Sequence, residues 1–245
     1  MAIPDTLATR LIHTAKKHDL GGSFLMLGRQ TFSGSRRGPS AKALAQAIDE
    51  HFDGMSEDDL RNTEDRFSET FFFKLGFESV DSLDFSPFEG ASIIHDLTQP
   101  VGTDLASRFD VIYDGGTCEH VFDVMSAFRN IDMMLRPGGV LIGHSPCNNS
   151  INHAFYQFGP EIVYGFWEKA MGYEVLELLL QPLRPASMHK VARTSNPNKT
   201  GVRPRIIGKL PDNSPIIMHY AVRKPLLRGD VRTAQQTDYL KRWAR

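Results

Sequence analysis

The chain has 245 residues, of which 41% are hydrophobic and 23% are charged, and its formal net charge is −1. This balance allows one large domain with a full core, and it provides no global attraction to nucleic acid or to an anionic membrane. No apolar run reaches the roughly 20 residues of a membrane-spanning helix, and the first residues lack the basic and then apolar pattern of a secretory signal peptide. The two cysteines are too few for a disulfide framework. We therefore expect a cytoplasmic protein.

The first part of the chain alternates helical and strand patterns. Apolar residues at helical spacing predict a helix over residues 4–18, and the run Phe24–Leu27, apolar on both faces, predicts a buried strand that ends at Gly28. A second helix is predicted from Ser40 to about Phe52, with Ser40 as its N-cap. A helical stretch, interrupted or continuous, is predicted from Ser56 to Leu75.

From residue 79 onwards, strands and helices follow each other regularly. Further strands are predicted over residues 79–83, 91–94, 109–113, 140–142, 175–180 and 216–222, and helices over 121–135 and 160–172. Such alternation predicts a single α/β domain over residues 1–245, with a doubly wound, mostly parallel seven-stranded sheet and helices on both faces. Residues 182–205 are interpreted as an extended basic loop, and 229–245 as a C-terminal tail or terminal helix.

Four residues that end predicted strands are candidates for ligand binding, because ligands of doubly wound sheets lie at the carboxyl ends of the strands. Gly28 ends the first strand and allows the backbone to approach a ligand closely. Asp84 ends the second and is suited to accept hydrogen bonds from ribose hydroxyls. Asp96, after the third strand, is suited to accept from an adenine amino group, and Asp114 ends the fourth. Their order predicts a cofactor that contains adenosine.

A nicotinamide cofactor is disfavoured. No Gly-x-Gly-x-x-Gly follows the first strand, so the backbone geometry that cradles a pyrophosphate is not indicated. The pairs Gly115-Gly116 and Gly138-Gly139 lie at predicted turns and lack the spacing of a phosphate loop.

The block Phe109–Phe122, FDVIYDGGTCEHVF, followed by Leu135–Leu141, LRPGGVL, resembles the class I methyltransferases. In that family a strand, a turn with Glu-His, a helix and a Pro-Gly-Gly turn into the next strand recur in this order. The resemblance covers about residues 22–181. It implies a Rossmann-like methyltransferase fold and S-adenosyl-L-methionine as the cofactor.

The resemblance also implies which residues bind that cofactor: ribose and adenine are assigned to the second and third strand ends, and the methionine part to the first and fourth. The set is Gly28, Arg29, Gln30, Asp84, Phe85, Asp96, Leu97, Asp114 and Gly115. Arg29 and Gln30 depart from the family, whose first strand ends in an acidic residue and a Gly-x-Gly loop. The long separation between Gly28 and Asp84 further indicates that residues 33–66 are an insertion, or a lid over the cofactor.

Methyl transfer to oxygen or nitrogen needs a group that removes a proton from the acceptor. His120 follows the fourth strand and is the candidate base, and Glu119 is either the base itself or the residue that orients His120. The alternative is that both residues only cap the next helix.

Substrate contacts are predicted from the polar loop after the strand at 140–142. We select Asn149, His153 and Tyr156, with ordinary turn structure as the alternative. No metal site is predicted, since His144, Cys147 and His153 lack a convincing ligand spacing.

These features predict a methyltransferase that acts on a small-molecule or sugar-like acceptor, with oxygen as the expected acceptor atom. The alternative is a noncatalytic binding protein that keeps the methyltransferase fold, which the altered loop from Gly28 to Gly34 favours. Another nucleotide-using α/β enzyme is disfavoured by the missing phosphate loop. The oligomeric state stays open.

Overall fold

The computed structural model describes residues 2–35, 37–206, 208–227 and 229–239. In chain order its elements are β1 (Ala2–Ile3), α1 (Asp5–Lys17), β2 (Gly22–Leu27), β3 (Thr31–Phe32), α2 (Gly38–His51), α3 (Glu69–Leu75), β4 (Phe77–Asp84), β5 (Ile93–Ile94), β6 (Phe109–Asp114), α4 (Val124–Met134), β7 (Leu135–Asn148), a π-helix (Ile162–Ala170), β8 (Glu174–Pro182), β9 (Ala192–Arg193), α5 (Pro197–Thr200) and β10 (Ile216–Arg223). Among the described residues, no helix combines the length and apolar character needed to cross a membrane.

The main sheet has the strand order β5-β4-β2-β6-β7-β10-β8-β9. The strands from β5 to β7 are parallel, whereas β10 pairs antiparallel with both β7 and β8. The predicted α/β class with helices on both faces of a mostly parallel sheet is confirmed. Among the described residues the sheet has eight strands rather than the predicted seven, because β9 pairs with β8. Its two residues are too few for a recognisable strand pattern.

Strand β2 is apolar on both faces because a separate core lies against each face. Phe24 and Met26 pack into the core formed with α1, α2 and α3. Leu25 and Leu27 point the opposite way, into the core formed with α4 and the π-helix. The continuous apolar run therefore places β2 at the centre of the protein, where both sides of the strand are buried.

The predicted helical stretch over residues 56–75 is interrupted. Ser56 and Asp59 do form the expected capping pair, with the Ser56 amide 2.8 Å from an Asp59 carboxylate oxygen, but only a short 3-10 turn follows, at Asp58–Leu60. The backbone of the next residues pairs with the segment around β3 instead, since the Phe32 amide donates to the Arg66 carbonyl. A helix resumes only at α3 and ends at Gly76, where φ is +114°.

The segments outside the regular alternation are packed against the π-helix. Residues 182–205 contain β9 and α5, and the Asn198 side chain donates to the carbonyl of Tyr164 at 2.8 Å. In the described part of the C-terminal segment, the Arg232 amide donates to the Ala170 carbonyl at 3.0 Å, and Thr237 donates to the Glu161 carboxylate. Residues 240–245 of the predicted tail lie outside the described residues.

A buried row of polar side chains crosses the sheet beneath α1. The Tyr113 hydroxyl lies 2.8 Å from Nδ1 of His144, and Nε2 of His144 lies 2.7 Å from Nδ1 of His219. His219 continues to the Thr14 hydroxyl at 2.9 Å and to the Glu177 carboxylate at 3.4 Å. Burial lowers the pKa of both histidines, so both are neutral near pH 7.

We predict that this row makes the free energy of unfolding depend on pH. Below about pH 6.5 these two histidines are protonated in the unfolded chain but remain neutral in the folded one. The unfolded chain then binds more protons, so the free energy of unfolding falls as the pH is lowered through this range. The nearby Arg10 and His18 also lower the pKa of His219, while Glu177 raises it. Denaturant unfolding should show a loss of about 2 kcal/mol between pH 7.5 and 5.5.

The substitution His219→Gln should flatten this pH dependence whatever its effect on overall stability. The control is His189→Gln, which removes an exposed histidine outside the row. An unchanged slope in His219→Gln would contradict the assignment.

Candidate functional site

A pocket of about 480 Å³ opens at the carboxyl ends of the parallel strands. It lies where the strand order reverses, because β2 leads to β4 on one side and borders β6 on the other. Its lining residues lie at or after the carboxyl ends of four neighbouring strands: Gly28, Gln30, Leu83, Asp84, Phe85, Glu89, His95, Asp96, Leu97, Thr98, Thr117, His120, Val121 and Phe122. Both its volume and its position are typical of small-molecule sites in this architecture.

Gly28 forms part of the pocket wall at the end of β2. Its φ is +71°, and its amide donates to the Leu83 carbonyl at 2.7 Å, which ties the end of β2 to β4. A Cβ at this position would lie 3.1 Å from the Thr117 hydroxyl and 3.3 Å from Nε2 of Gln30. The position therefore requires glycine both for its backbone conformation and for the space beside it.

The two residues after Gly28 point in different directions. Arg29 is held outside the pocket: it donates to the Glu69 carboxylate at 2.6 Å and to the Glu89 carbonyl at 2.9 Å, and its guanidinium lies 3.8 Å from the centre of the Phe67 ring. Gln30 is fully buried and lines the pocket, with Nε2 donating to the Leu27 carbonyl at 3.0 Å. Among the described residues, nothing hydrogen-bonds to Oε1 of Gln30.

The predicted ribose and adenine positions all line the pocket together. Asp84 lies beside Gly28, its Oδ2 only 3.9 Å from the site of a Gly28 Cβ, and the adjacent Phe85 ring is 73% exposed. Asp96 and the buried Leu97 lie on the same wall. Hydrogen bonds from the Thr98 amide and hydroxyl lower the pKa of Asp96, which keeps this carboxylate an acceptor near neutral pH.

Asp114 and Gly115 shape the turn after β6 and do not line the pocket. Asp114 is buried, and its Oδ1 accepts the Thr117 amide at 2.8 Å, which closes the turn. A Cβ on Gly115 would lie 2.8 Å from the Tyr113 ring and 3.0 Å from Cδ of Gln30. The turn places Thr117, whose hydroxyl donates to the Leu27 carbonyl at 2.7 Å, between the ends of β6 and β2.

Glu119, His120 and His153 form a group at one end of the pocket. His120 lines the pocket, and its ring centre lies 5.1 Å from that of His153. Nε2 of His153 lies 3.7 Å from Oε1 of Glu119, which is 1% exposed. Burial, followed by the charge of Asp114, raises the pKa of Glu119 to about 8. Burial and then the neighbouring His153 lower the pKa of His120, so its imidazole is neutral at pH 7 and able to accept a proton.

None of the three predicted substrate residues lines the pocket itself, and of these His153 contacts the lining residue His120. Asn149, with φ of +57°, donates to the carbonyls of Asp212 at 3.1 Å and Ser214 at 2.8 Å, and thereby joins two loops. The Tyr156 hydroxyl donates to the Phe122 carbonyl at 2.7 Å, next to the pocket rim. The structure therefore brings His153 to the pocket group, supports the rim through Tyr156 and leaves Asn149 apart.

Sequence reasoning missed several lining residues, namely Leu83, Glu89, His95, Thr98, Thr117, Val121 and Phe122. All lie at or after strand ends that were recognised, so proximity in sequence was the available signal. Residues 33–66, predicted as an insertion or lid, contribute no lining residue to this pocket. Instead α2 packs on α1, with Leu44 and Ile48 in the core beside β2; the lid role stays a prediction.

A larger pocket of about 570 Å³ lies between the end of the π-helix and the C-terminal segment. It lies away from the carboxyl ends of the parallel strands and is lined by residues 168–172, Asn198, Pro225, Leu227, Gly229, Asp230 and Arg232. The smaller pocket is the candidate site, because the strand-end carboxylates and the histidine group converge there.

Solved structures of other proteins resemble this fold at low sequence identity. No family model matches the chain, and no curated protein sequence matches it. A 1,6-didemethyltoxoflavin-N1-methyltransferase from Burkholderia thailandensis, with bound 1,6-didemethyltoxoflavin and S-adenosylhomocysteine, is similar over 89% of this chain and 76% of its own, with 13% identity and a TM-score of 0.45. The N-methyltransferase NodS from Bradyrhizobium japonicum, in complex with S-adenosylhomocysteine, is similar over 89% and 85%, with 14% identity and a TM-score of 0.43. Likenesses this distant assign neither an activity nor a ligand to this chain.

We predict that Gly28→Ala destabilises the protein more than the same change at Gly54. Both glycines have positive φ, +71° and +66°, so both substitutions incur about 1 to 2 kcal/mol of backbone strain. Only at Gly28 does the new methyl also press on Thr117 and its hydrogen bond, while nothing lies within 4 Å at Gly54. Denaturant unfolding should show an additional loss of about 1 kcal/mol for Gly28→Ala. Equal losses in both variants would contradict the tight pocket wall.

Proposed function

We propose that this protein is an S-adenosyl-L-methionine-dependent methyltransferase that acts on a small-molecule or sugar-like acceptor, with oxygen as the acceptor atom. The observation that carries the proposal is the convergence of Gly28, Asp84, Phe85, Asp96 and Leu97 around one pocket at the point where the strand order reverses. These residues come from three strand ends, and their chemistry matches successive parts of an adenosine-containing ligand.

The residues present fit this cofactor. Asp84 offers a carboxylate to a ribose diol, Phe85 and Leu97 offer apolar surface to adenine, and Asp96 offers an acceptor to the adenine amino group. Gly28 leaves the space that a Cβ would fill. Gln30, a departure from the family pattern, presents a buried amide that still has a free acceptor among the described residues, which suits a cationic amine or sulfonium.

In methyl transfer, the main task of the protein is to hold the cofactor and the acceptor in line with each other. The bound cofactor supplies an activated methyl group on a sulfonium. The residues of the chain hold the adenosine part at the ends of β4 and β5, and Gln30 borders the wall at the end of β2. His120 faces the same pocket as a neutral imidazole, so it is placed to accept the proton of an acceptor hydroxyl, with Glu119 and His153 beside it.

The second candidate is a noncatalytic protein that binds the same cofactor. Its support is Gln30, a fully buried side chain in the wall where the family's glycine leaves open space. Binding of cofactor without turnover on any acceptor would favour this candidate, and binding of a nicotinamide cofactor in preference would contradict both.

We predict micromolar binding of S-adenosylmethionine or S-adenosylhomocysteine, measured by isothermal titration calorimetry on the full chain. Asp84→Ala should weaken this binding about 10- to 100-fold, because a charged acceptor for two hydroxyls is lost. The matched control is Asp81→Ala on the same strand, whose carboxylate pairs with Arg108 at 3.0 Å and does not line the pocket. No binding to the wild type would contradict the proposed function, and equal affinity in a folded Asp84→Ala would remove Asp84 from the site.

We predict that His120→Ala and His95→Ala affect different steps, the first turnover and the second cofactor binding. An acceptor is first found by screening, and the rate of S-adenosylhomocysteine formation is then measured with it. His120→Ala should lower this rate about 100-fold and leave the cofactor affinity nearly unchanged. His95 also lines the pocket and precedes Asp96, so its replacement should chiefly affect cofactor affinity. Turnover of His120→Ala equal to that of the wild type would exclude the base role.

A further inference from the structure

Three side chains with metal-binding atoms converge at the acceptor end of the pocket. Glu119 and His120 belong to the 3-10 turn after β6, and His153 belongs to the loop after β7. One carboxylate oxygen and one nitrogen from each ring all lie within 4.8 Å of one another. Nε2 of His153 lies 3.7 Å from Oε1 of Glu119. Two ligand atoms of one tetrahedral zinc ion lie about 3.3 Å apart when each bond is near 2 Å, so this separation is close to that of a metal site.

The charges around this group lack a fixed cation. Glu119 is 1% exposed and the adjacent Asp114 is fully buried. Among the described residues, no lysine or arginine forms an ion pair with either carboxylate, and neither Oε2 of Glu119 nor Oδ2 of Asp114 has a hydrogen-bond partner. An ionised carboxylate at this buried position has no cationic side chain beside it among the described residues, and a bound metal ion would supply the missing positive charge.

A second group of possible ligands, His13, Glu50 and His51, lies between α1 and α2. There Nδ1 of His13 is already 3.2 Å from Nε2 of His51, so the two rings satisfy each other by a hydrogen bond. This group is also outside the candidate pocket. It therefore provides a matched control for the first group.

We propose that Glu119, His120 and His153 bind a divalent transition-metal ion of the zinc type, which coordinates an oxygen of the acceptor. Two imidazoles and one carboxylate are a ligand set that zinc prefers, and three protein ligands leave a coordination position open. His120 lines the pocket, so the open position faces the space where the acceptor binds. With the ion bound, His120 serves as a ligand in place of its role as base, and the ion would lower the pKa of the coordinated acceptor hydroxyl so that its proton leaves to solvent. The exposed rings of Phe122 and Phe155, 5.4 Å apart at the rim, favour an acceptor that carries an apolar or aromatic part next to its hydroxyl.

The role of the ion toward the acceptor rests on the proposed methyltransferase function, but metal binding does not. Zinc chloride alone is titrated calorimetrically into the chelator-treated full chain, without a histidine tag, for the wild type, His153→Ala and His51→Ala. We expect one micromolar site in the wild type and in His51→Ala, and at least tenfold weaker binding in His153→Ala. His153 is 45% exposed on its side chain, so this variant should fold normally.

S-adenosylhomocysteine is titrated into the same three proteins. Retained cofactor binding together with lost zinc binding in His153→Ala supports the metal site and shows that the pocket is intact. Cofactor binding by a wild type that binds no zinc overturns the metal site and leaves the proposed function standing. Zinc binding that survives in His153→Ala, or that is lost in His51→Ala, also overturns it. Zinc binding without cofactor binding contradicts the proposed function alone.

Discussion

The pairing of β2 with β4 on one side and β6 on the other is the constraint on which the site depends. Because all three strands are parallel, their carboxyl ends lie at the same edge, and the reversal of strand order leaves a gap above them. Two hydrogen bonds fix the end of β2: the Gly28 amide donates to the Leu83 carbonyl, and the Thr117 hydroxyl donates to the Leu27 carbonyl. The end of β2 that borders the pocket is therefore held from both neighbouring strands.

The loop after β2 shows how the protein accommodates two bulky residues beside the pocket. Arg29 is drawn away by Glu69, the Glu89 carbonyl and the Phe67 ring, so its bulk lies outside the pocket. Gln30 turns inward and is tied back to the Leu27 carbonyl. Two of the partners of Arg29, Glu69 and Phe67, belong to α3 and the irregular chain before it, so this segment supports the loop from outside the pocket.

The two ends of the pocket differ in their electrostatics. At the end formed by β4 and β5, Asp84 and Asp96 are partly exposed and accept local hydrogen bonds, so they remain available as acceptors. At the other end, Glu119 and Asp114 are buried close together, and burial raises the pKa of both. A neutral ligand part with hydroxyl groups suits the first end, whereas the second favours a positive charge or an exchangeable proton.

The sequence by itself determined the central strand, the alternation of strands and helices, and the strand-end residues Gly28, Asp84 and Asp96. These follow from local patterns: apolar runs, turn residues and their spacing along the chain. Only the tertiary structure decided that Arg29 points outward, that Asp114 and Gly115 shape a turn beneath the pocket, that α2 packs on α1, and that His153 meets Glu119. The physical reason is that each of these depends on partners distant in sequence, such as Glu69 for Arg29 and the loop after β7 for Glu119, and local patterns do not encode which distant partners meet.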